Sequence, residues 1–123
     1  MRCFEIHLKE QFPFLGEDGK DPVLTAYLPY NMSEMKWEDK RRPCVLLCPG
    51  GGYGFVSQRE GEPVALKLLP EGYNVFVMRY SVAPHKFPTQ LRELAAAMEL
   101  IHSQAAQWNC DPNRIAIMGY SAG

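Results

Sequence analysis

The chain has 123 residues, 46% of them hydrophobic and 22% charged, with a formal net charge of −1. That is enough chain for one domain with a sizeable core, and the composition excludes a disordered or fibrous protein. So small a net charge leaves no basic footprint for nucleic acid, and no apolar run is long enough to cross a membrane.

Residues 3–8 alternate in part, with Phe4, Ile6 and Leu8 against Glu5 and His7, which predicts a half-buried strand. This N-terminal stretch carries charge within its only apolar part and lacks a small-residue cleavage site. It therefore does not read as a secretory signal, and the expectation is a cytoplasmic protein. Residues 12–22, rich in Gly, Asp and Pro, predict a turn region, and residues 23–28 a second strand antiparallel to the first. Residues 29–42 are polar, with Trp37 alone among charges, and read as a surface loop.

Residues 43–48 are continuously apolar, as expected of a strand covered on both faces, and run into Pro49-Gly50-Gly51-Gly52-Tyr53. Residues 62–69 predict a short helix with Pro63 in its first turn and Val64, Leu68 and Ala65 facing inward. Residues 74–78 form another apolar strand, and residues 81–88 a loop with two prolines. Residues 89–108 predict the longest helix. Leu91, Leu94, Ala95, Met98, Ile101, Ala105 and Trp108 lie on one stripe, with Arg92, Glu93, Glu99, Ser103 and Gln107 opposite. An Asp-Pro turn at residues 111–112 precedes the last apolar run, residues 115–118.

From residue 43 the order is strand, helix, strand, helix, strand. The fold class is therefore α/β: an antiparallel strand pair leading into a parallel βαβαβ sheet, all in a single domain over residues 1–123. The four cysteines, Cys3, Cys44, Cys48 and Cys110, are scattered without the paired spacing of a zinc site and read as buried, reduced thiols. Cys44 and Cys48 would share one side of their strand, too far apart along it to bridge.

Two motifs carry chemistry. Gly119-x-Ser121-x-Gly123 closes the last predicted strand, which is the setting of a nucleophile elbow: a sharp turn that holds a serine exposed and strained. The alternative is a turn whose serine bonds its own backbone. The three glycines after residue 49 leave backbone N–H groups bare, able to converge on an oxyanion. Neither a dinucleotide fingerprint nor a P-loop fits there. The last glycine of the fingerprint would fall on Phe55 or Ser57, and no Gly-Lys-Ser/Thr follows. A plain glycine turn remains the other reading.

In this order, on these strands, the motifs resemble the α/β-hydrolase fold, and within it the esterase and lipase branch of acetyl-esterase-like and xylan-esterase-like proteins with Pro-Gly-Gly-Gly-Tyr. Further similar segments are residues 57–63 (Ser-Gln-Arg-Glu-Gly-Glu-Pro), residues 80–84 with Phe87-Pro88, and residues 111–115. The resemblance covers nearly the whole chain but only the N-terminal half of such a domain, up to the nucleophile elbow. It implies Ser121 as the nucleophile and the N–H groups of Gly51, Gly52 and Ala122 as the oxyanion hole. It also implies a helix, an Asp or Glu and a histidine in sequence following Gly123. No cofactor and no metal is implied.

The function this implies is serine hydrolysis of a short acyl ester, such as acetate on a small molecule or carbohydrate, without nucleic-acid or membrane partners. Two alternatives stand beside it: a non-catalytic piece that self-associates or is complemented through an exposed sheet edge, and a peptidase or amidase on the same fold. Of the histidines, His7 falls in a strand, His102 in a helix, and His85 in a loop where the branch often has glutamate; a solvated role is the expectation for His85. Arg59 and Glu60 either line the acyl or alcohol side or pair with each other or solvent. Tyr53 and Tyr120 either shape the pocket or pack.

Overall fold

The computed structural model describes residues 1–15 and 20–123; part of the turn expected over residues 12–22 thus lies outside the described residues. The strands are β1 (Arg2–His7), β2 (Val23–Leu28), β3 (Arg42–Cys48), β4 (Asn74–Arg79) and β5 (Cys110–Gly119), and the helices α1 (Leu8–Gln11), α2 (Glu62–Leu68) and α3 (Thr89–Ser103). They form one mixed sheet in the order β1-β2-β4-β3-β5. β1 and β2 pair antiparallel, with Phe4 opposite Ala26, and β2 pairs antiparallel with β4, with Ala26 opposite Phe76. β4, β3 and β5 are parallel, so Leu46 lies between Phe76 and Ile117.

Alternation along the strands sorts side chains onto two faces. Leu24, Ala26, Cys44, Leu46, Phe76 and Met78 join Ala97, Leu100 and Ile101 of α3 in the main core. Tyr27 and Val75 turn to the other face, against Ala65 of α2. In α2 it is Ala65 that is fully buried, whereas Val64 and Leu68 are half-buried. The apolar run of β3 is covered as its composition predicts, with Leu46 and Leu47 wholly inaccessible. The similar run in β5 is not. Among the described residues β5 is the edge strand, paired only with β3, and Ile117 is 55% exposed.

Helix α3 is shorter than its periodicity suggests, because the chain leaves the helix at Gln104 and Asn109 adopts a left-handed φ of +55°. Trp108 stays in the core nonetheless, against the rings of Phe4 and Phe76. The face turned to the sheet is also different. Glu93, Ala96, Ala97, Leu100 and Ile101 are buried, while Leu91 and Ala95 are exposed and Leu94 and Met98 half-buried. Two alanines in succession let the helix axis approach the sheet, where a stripe of larger residues would hold it away. Leu91 and Leu94 line the wall of a cavity instead. Trp37 is half-buried, with the Lys40 ammonium 3.8 Å from its ring centre. No described helix is long and apolar enough to cross a membrane.

All four cysteines are free, but only Cys44, Cys48 and Cys110 are buried; Cys3 is exposed on the terminal strand β1. Burial raises the Cys48 thiol from its ordinary 9.0 to about 11. At pH 8 its thiolate fraction is then about 10⁻³, and a thiol without thiolate does not alkylate. Iodoacetamide at that pH is expected to modify Cys3 fast and Cys48 only after denaturation, as peptide mapping would show. Equal rates at the two sites would contradict the burial. Between pH 9 and 11 the folded state is the tighter proton binder at Cys48, so this group's contribution to stability falls as pH rises through that window.

Candidate active site

Parallel pairing brings the ends of β3 and β5 together, with Cys48 opposite Gly119. The two motifs leave the sheet side by side from there. Tyr120 donates its N–H to the Cys48 carbonyl at 3.1 Å, and Gly123 donates back to Tyr120 at 2.8 Å, closing the turn that carries Ser121. Ser121 is exposed and has a φ of +52°. An L-residue in that left-handed region costs roughly 1–2 kcal/mol, and such strain persists only where its surroundings enforce it.

The glycines on either side serve close approach rather than unusual dihedrals. A Cβ on Gly119 would sit 2.5 Å from the Gly123 carbonyl oxygen, and one on Gly123 would sit 2.0 Å from that of Cys48. The glycine loop presses on the same turn: a Cβ on Gly50 would lie 2.7 Å from the Tyr120 oxygen and 2.9 Å from the Ser121 Cβ. Gly51 and Gly52 follow, at φ of +138° and +61°. Among the described residues the N–H groups of Gly51, Gly52 and Ala122 make no hydrogen bond.

Four contacts hold the loop. Glu60 Oε2 accepts the Gly50 N–H at 2.6 Å, and the Gly50 carbonyl accepts the Ser57 N–H at 2.8 Å. Tyr80 donates its phenol to the Pro49 carbonyl, and Ala83 donates its N–H to the Tyr53 carbonyl at 2.7 Å. The Tyr80 phenol is raised above its ordinary value by burial first, then by the neighbouring Cys48, Tyr53 and Glu60, which keeps it protonated as a donor. The site thus combines a serine at positive φ, bare N–H groups beside it, and side chains that hold the loop bearing them.

The BD-FAE family model matches residues 27–123. The chain belongs to the BD-FAE family.

It is 35% identical over 121 residues to endo-1,4-beta-xylanase B of Butyrivibrio fibrisolvens, covering 94% of this chain and 18% of that one. It is 32% identical over 111 residues to the acetylxylan esterase of Xylanibacter ruminicola, covering 89% and 21%. Among solved structures, the α/β hydrolase MGS-M1 from a Medee basin deep-sea metagenome library superposes with a TM-score of 0.86 at 38% identity. That superposition covers all of this chain and 48% of the other. The fold is therefore the α/β-hydrolase fold, and the chain spans about a fifth of those two relatives and about half of that structure.

Within this BD-FAE chain, none of the three histidines bonds Ser121. His7 pairs through Nδ1 with Asp21 at 2.6 Å, and His102 Nδ1 lies 3.0 Å from the Met98 carbonyl oxygen. His85 lines a cavity of about 670 Å³ whose wall also includes Tyr53, Tyr80, Leu91, Ala122 and Gly123. Tyr53 therefore does shape a pocket, its ring edge-on to Tyr80 at 6.4 Å. Tyr120 is exposed, its phenol directed to the Met118 sulfur at 3.9 Å. Glu60 neither lines that cavity nor pairs with Arg59; it secures Gly50. Among the described residues no three potential metal ligands gather.

The helical stripe assigns Glu93 to the solvent face. The structure buries it to 1% exposure, with its two oxygens accepting the N–H of Ser81 at 2.7 Å and the Ser81 hydroxyl. This joins α3 to the residue after Tyr80 and so steadies the Tyr80 anchor. Glu93→Ala leaves two buried donors without an acceptor and is expected to cost about 2–3 kcal/mol of stability, whereas Glu93→Gln, which retains one acceptor, should lose less than half of that. Urea denaturation of the two variants checks it; equal losses would contradict the role of the paired oxygens.

Proposed function

We propose that the full-length protein hydrolyses carboxylic esters of short acyl groups, such as acetate on a carbohydrate, through an acyl-enzyme on Ser121. The carrying observation is Ser121 itself, held at a φ of +52° against Gly50 of the glycine loop. Its hydroxyl would attack the ester carbonyl, giving its proton to a base. The resulting oxyanion would accept hydrogen bonds from the Gly51, Gly52 and Ala122 N–H groups, which have no other partner to surrender. Collapse of that intermediate would expel the alcohol, which takes back the proton, and water would then cleave the acyl group from Ser121 by the same steps. No described histidine bonds Ser121, so the base is assigned to sequence following Gly123.

The similarity to an acetylxylan esterase favours acetate and a sugar alcohol. A fluorophosphonate probe added to the full-length protein should form an adduct on the peptide bearing Ser121, and acetylated xylo-oligosaccharide should block it. Absence of labelling, or an adduct elsewhere, would overturn the assignment. Comparing acetyl ester with the matching acetamide separates esterase from amidase: the ester reading expects turnover of the first only.

A further inference from the structure

A separate cavity of about 650 Å³ lies between the glycine loop and the end of β4, with Pro49 in its wall. Its polar lining comprises Thr25, Ser57, Gln58, Arg59, Glu62 and Arg79. Arg59 and Arg79 are exposed, and neither makes an ion pair or side-chain hydrogen bond among the described residues. Ser57 is only 3% exposed, yet its hydroxyl has no partner. A buried hydroxyl left unbonded costs about 1–3 kcal/mol, and two guanidinium groups facing one space repel each other. A ligand that accepts hydrogen bonds and carries negative charge would relieve both.

We propose that this cavity is a carboxylate subsite, in which Arg59 and Arg79 bind the carboxylate of an acidic sugar unit. The charge balance selects the ligand. Two arginines beside one carboxylate, Glu62, leave a surplus of a single positive charge, which suits a monovalent carboxylate rather than doubly charged phosphate. Planar guanidinium forks match a carboxylate's two oxygens. Thr25 and Gln58 are neutral partners for sugar hydroxyls, and the Ser57 hydroxyl adds a donor. Position links the cavity to the chemistry: the Ser57 N–H already bonds the Gly50 carbonyl at 2.8 Å. A ligand here would sit next to the loop that faces Ser121. That the sugar belongs to the alcohol portion of an ester rests on the function proposed above; the binding of a carboxylate does not.

The test is a titration of the full-length protein carrying Ser121→Ala, followed in ¹H–¹⁵N spectra, with sodium glucuronate, glucose and inorganic phosphate as separate probes at constant ionic strength. Glucuronate is expected to shift the amides of Ser57, Gln58, Arg59 and Arg79 saturably. Arg59→Gln or Arg79→Gln should each weaken it by about tenfold, the value of one charge-assisted hydrogen bond, while Lys67→Gln on the exposed side of α2 should leave it unchanged. Equal binding of glucose would overturn the charge argument, tighter binding of phosphate would overturn the carboxylate, and no saturable shift would overturn the site. Failure of each reading is distinguishable. Ser121 labelling with no glucuronate binding removes the subsite alone, and glucuronate binding without ester turnover removes the esterase alone.

Discussion

Under the proposed mechanism, Ser121→Ala is expected to lower kcat for acetyl-ester hydrolysis by the full-length protein by about 10⁴-fold or more, with KM little changed, because the proposed attacking oxygen is lost while the groups around it stay. Steady-state kinetics on 4-nitrophenyl acetate measure it, and activity within tenfold of the parent would remove Ser121 as nucleophile. A companion variant separates chemistry from strain. At a φ of +52° the alanine retains the Cβ that makes this backbone costly, whereas Ser121→Gly removes it. The glycine variant should be equally inactive but more stable than the alanine variant by about 1 kcal/mol. Thermal unfolding of the pair would show the difference, and a less stable glycine variant would mean that the turn is not strained at this residue.

Gly50→Ala is expected to be nearly as damaging to catalysis although residue 50 carries no reacting atom. Its Cβ would fall 2.7 Å from the Tyr120 carbonyl oxygen, 2.9 Å from Glu60 Oε2 and 2.9 Å from the Ser121 Cβ. The first is backbone and the third is the stem of Ser121, so neither can swing aside as a long side chain would. The loop must retreat by roughly an ångström, and misplacement on that scale costs about 10²-fold in rate. Loss of preorganised oxyanion donors costs about 10²–10³-fold. Overpacking adds about 1–3 kcal/mol of destabilisation. Gly54→Ala is the control: its φ is ordinary and its Cβ would meet nothing closer than the Gly51 oxygen at 3.7 Å. That variant should stay within about 0.5 kcal/mol of the parent. If Gly50→Ala behaves like Gly54→Ala, the glycine loop and the serine turn are not in the contact described.

What the sequence made legible follows from how local each signal is. β3 and β4 announce themselves as unbroken apolar runs because sheet neighbours cover both faces, and the glycine spacing around Ser121 marks a tight turn because no other residue fits it. The contact between the two motifs was also inferable, since parallel strands deliver their ends to one side. Other features depend on closure of the whole chain. Glu93 looks like a surface residue on a helical wheel, and only the docking of Ala96 and Ala97 brings it under Ser81. Glu60 and Tyr80 anchor Pro49 and Gly50 across gaps of ten and thirty-one residues, and no periodicity encodes such partners. Ile117 shows an expectation met: the apolar strand after the Asp-Pro turn presents a bare edge, since among the described residues only β3 lies beside β5.

The bond from Gly50 to Glu60, with the return bond from Ser57 to Gly50, makes residues 50–60 a ring fastened at its own base. Its outer arc, Tyr53, Gly54 and Phe55, is exposed. Side-chain changes at Phe55 therefore do not pull on the knot, whereas Tyr53, at a φ of +61° and with its carbonyl bonded by Ala83, is tied into it. A library at Phe55 should yield many folded members, whereas randomising Gly50, Tyr53 or Glu60 should yield few, Tyr53 because its φ of +61° strains most side chains. The ring thus divides a short stretch of chain into a part free to diversify and a part that natural or laboratory selection must keep.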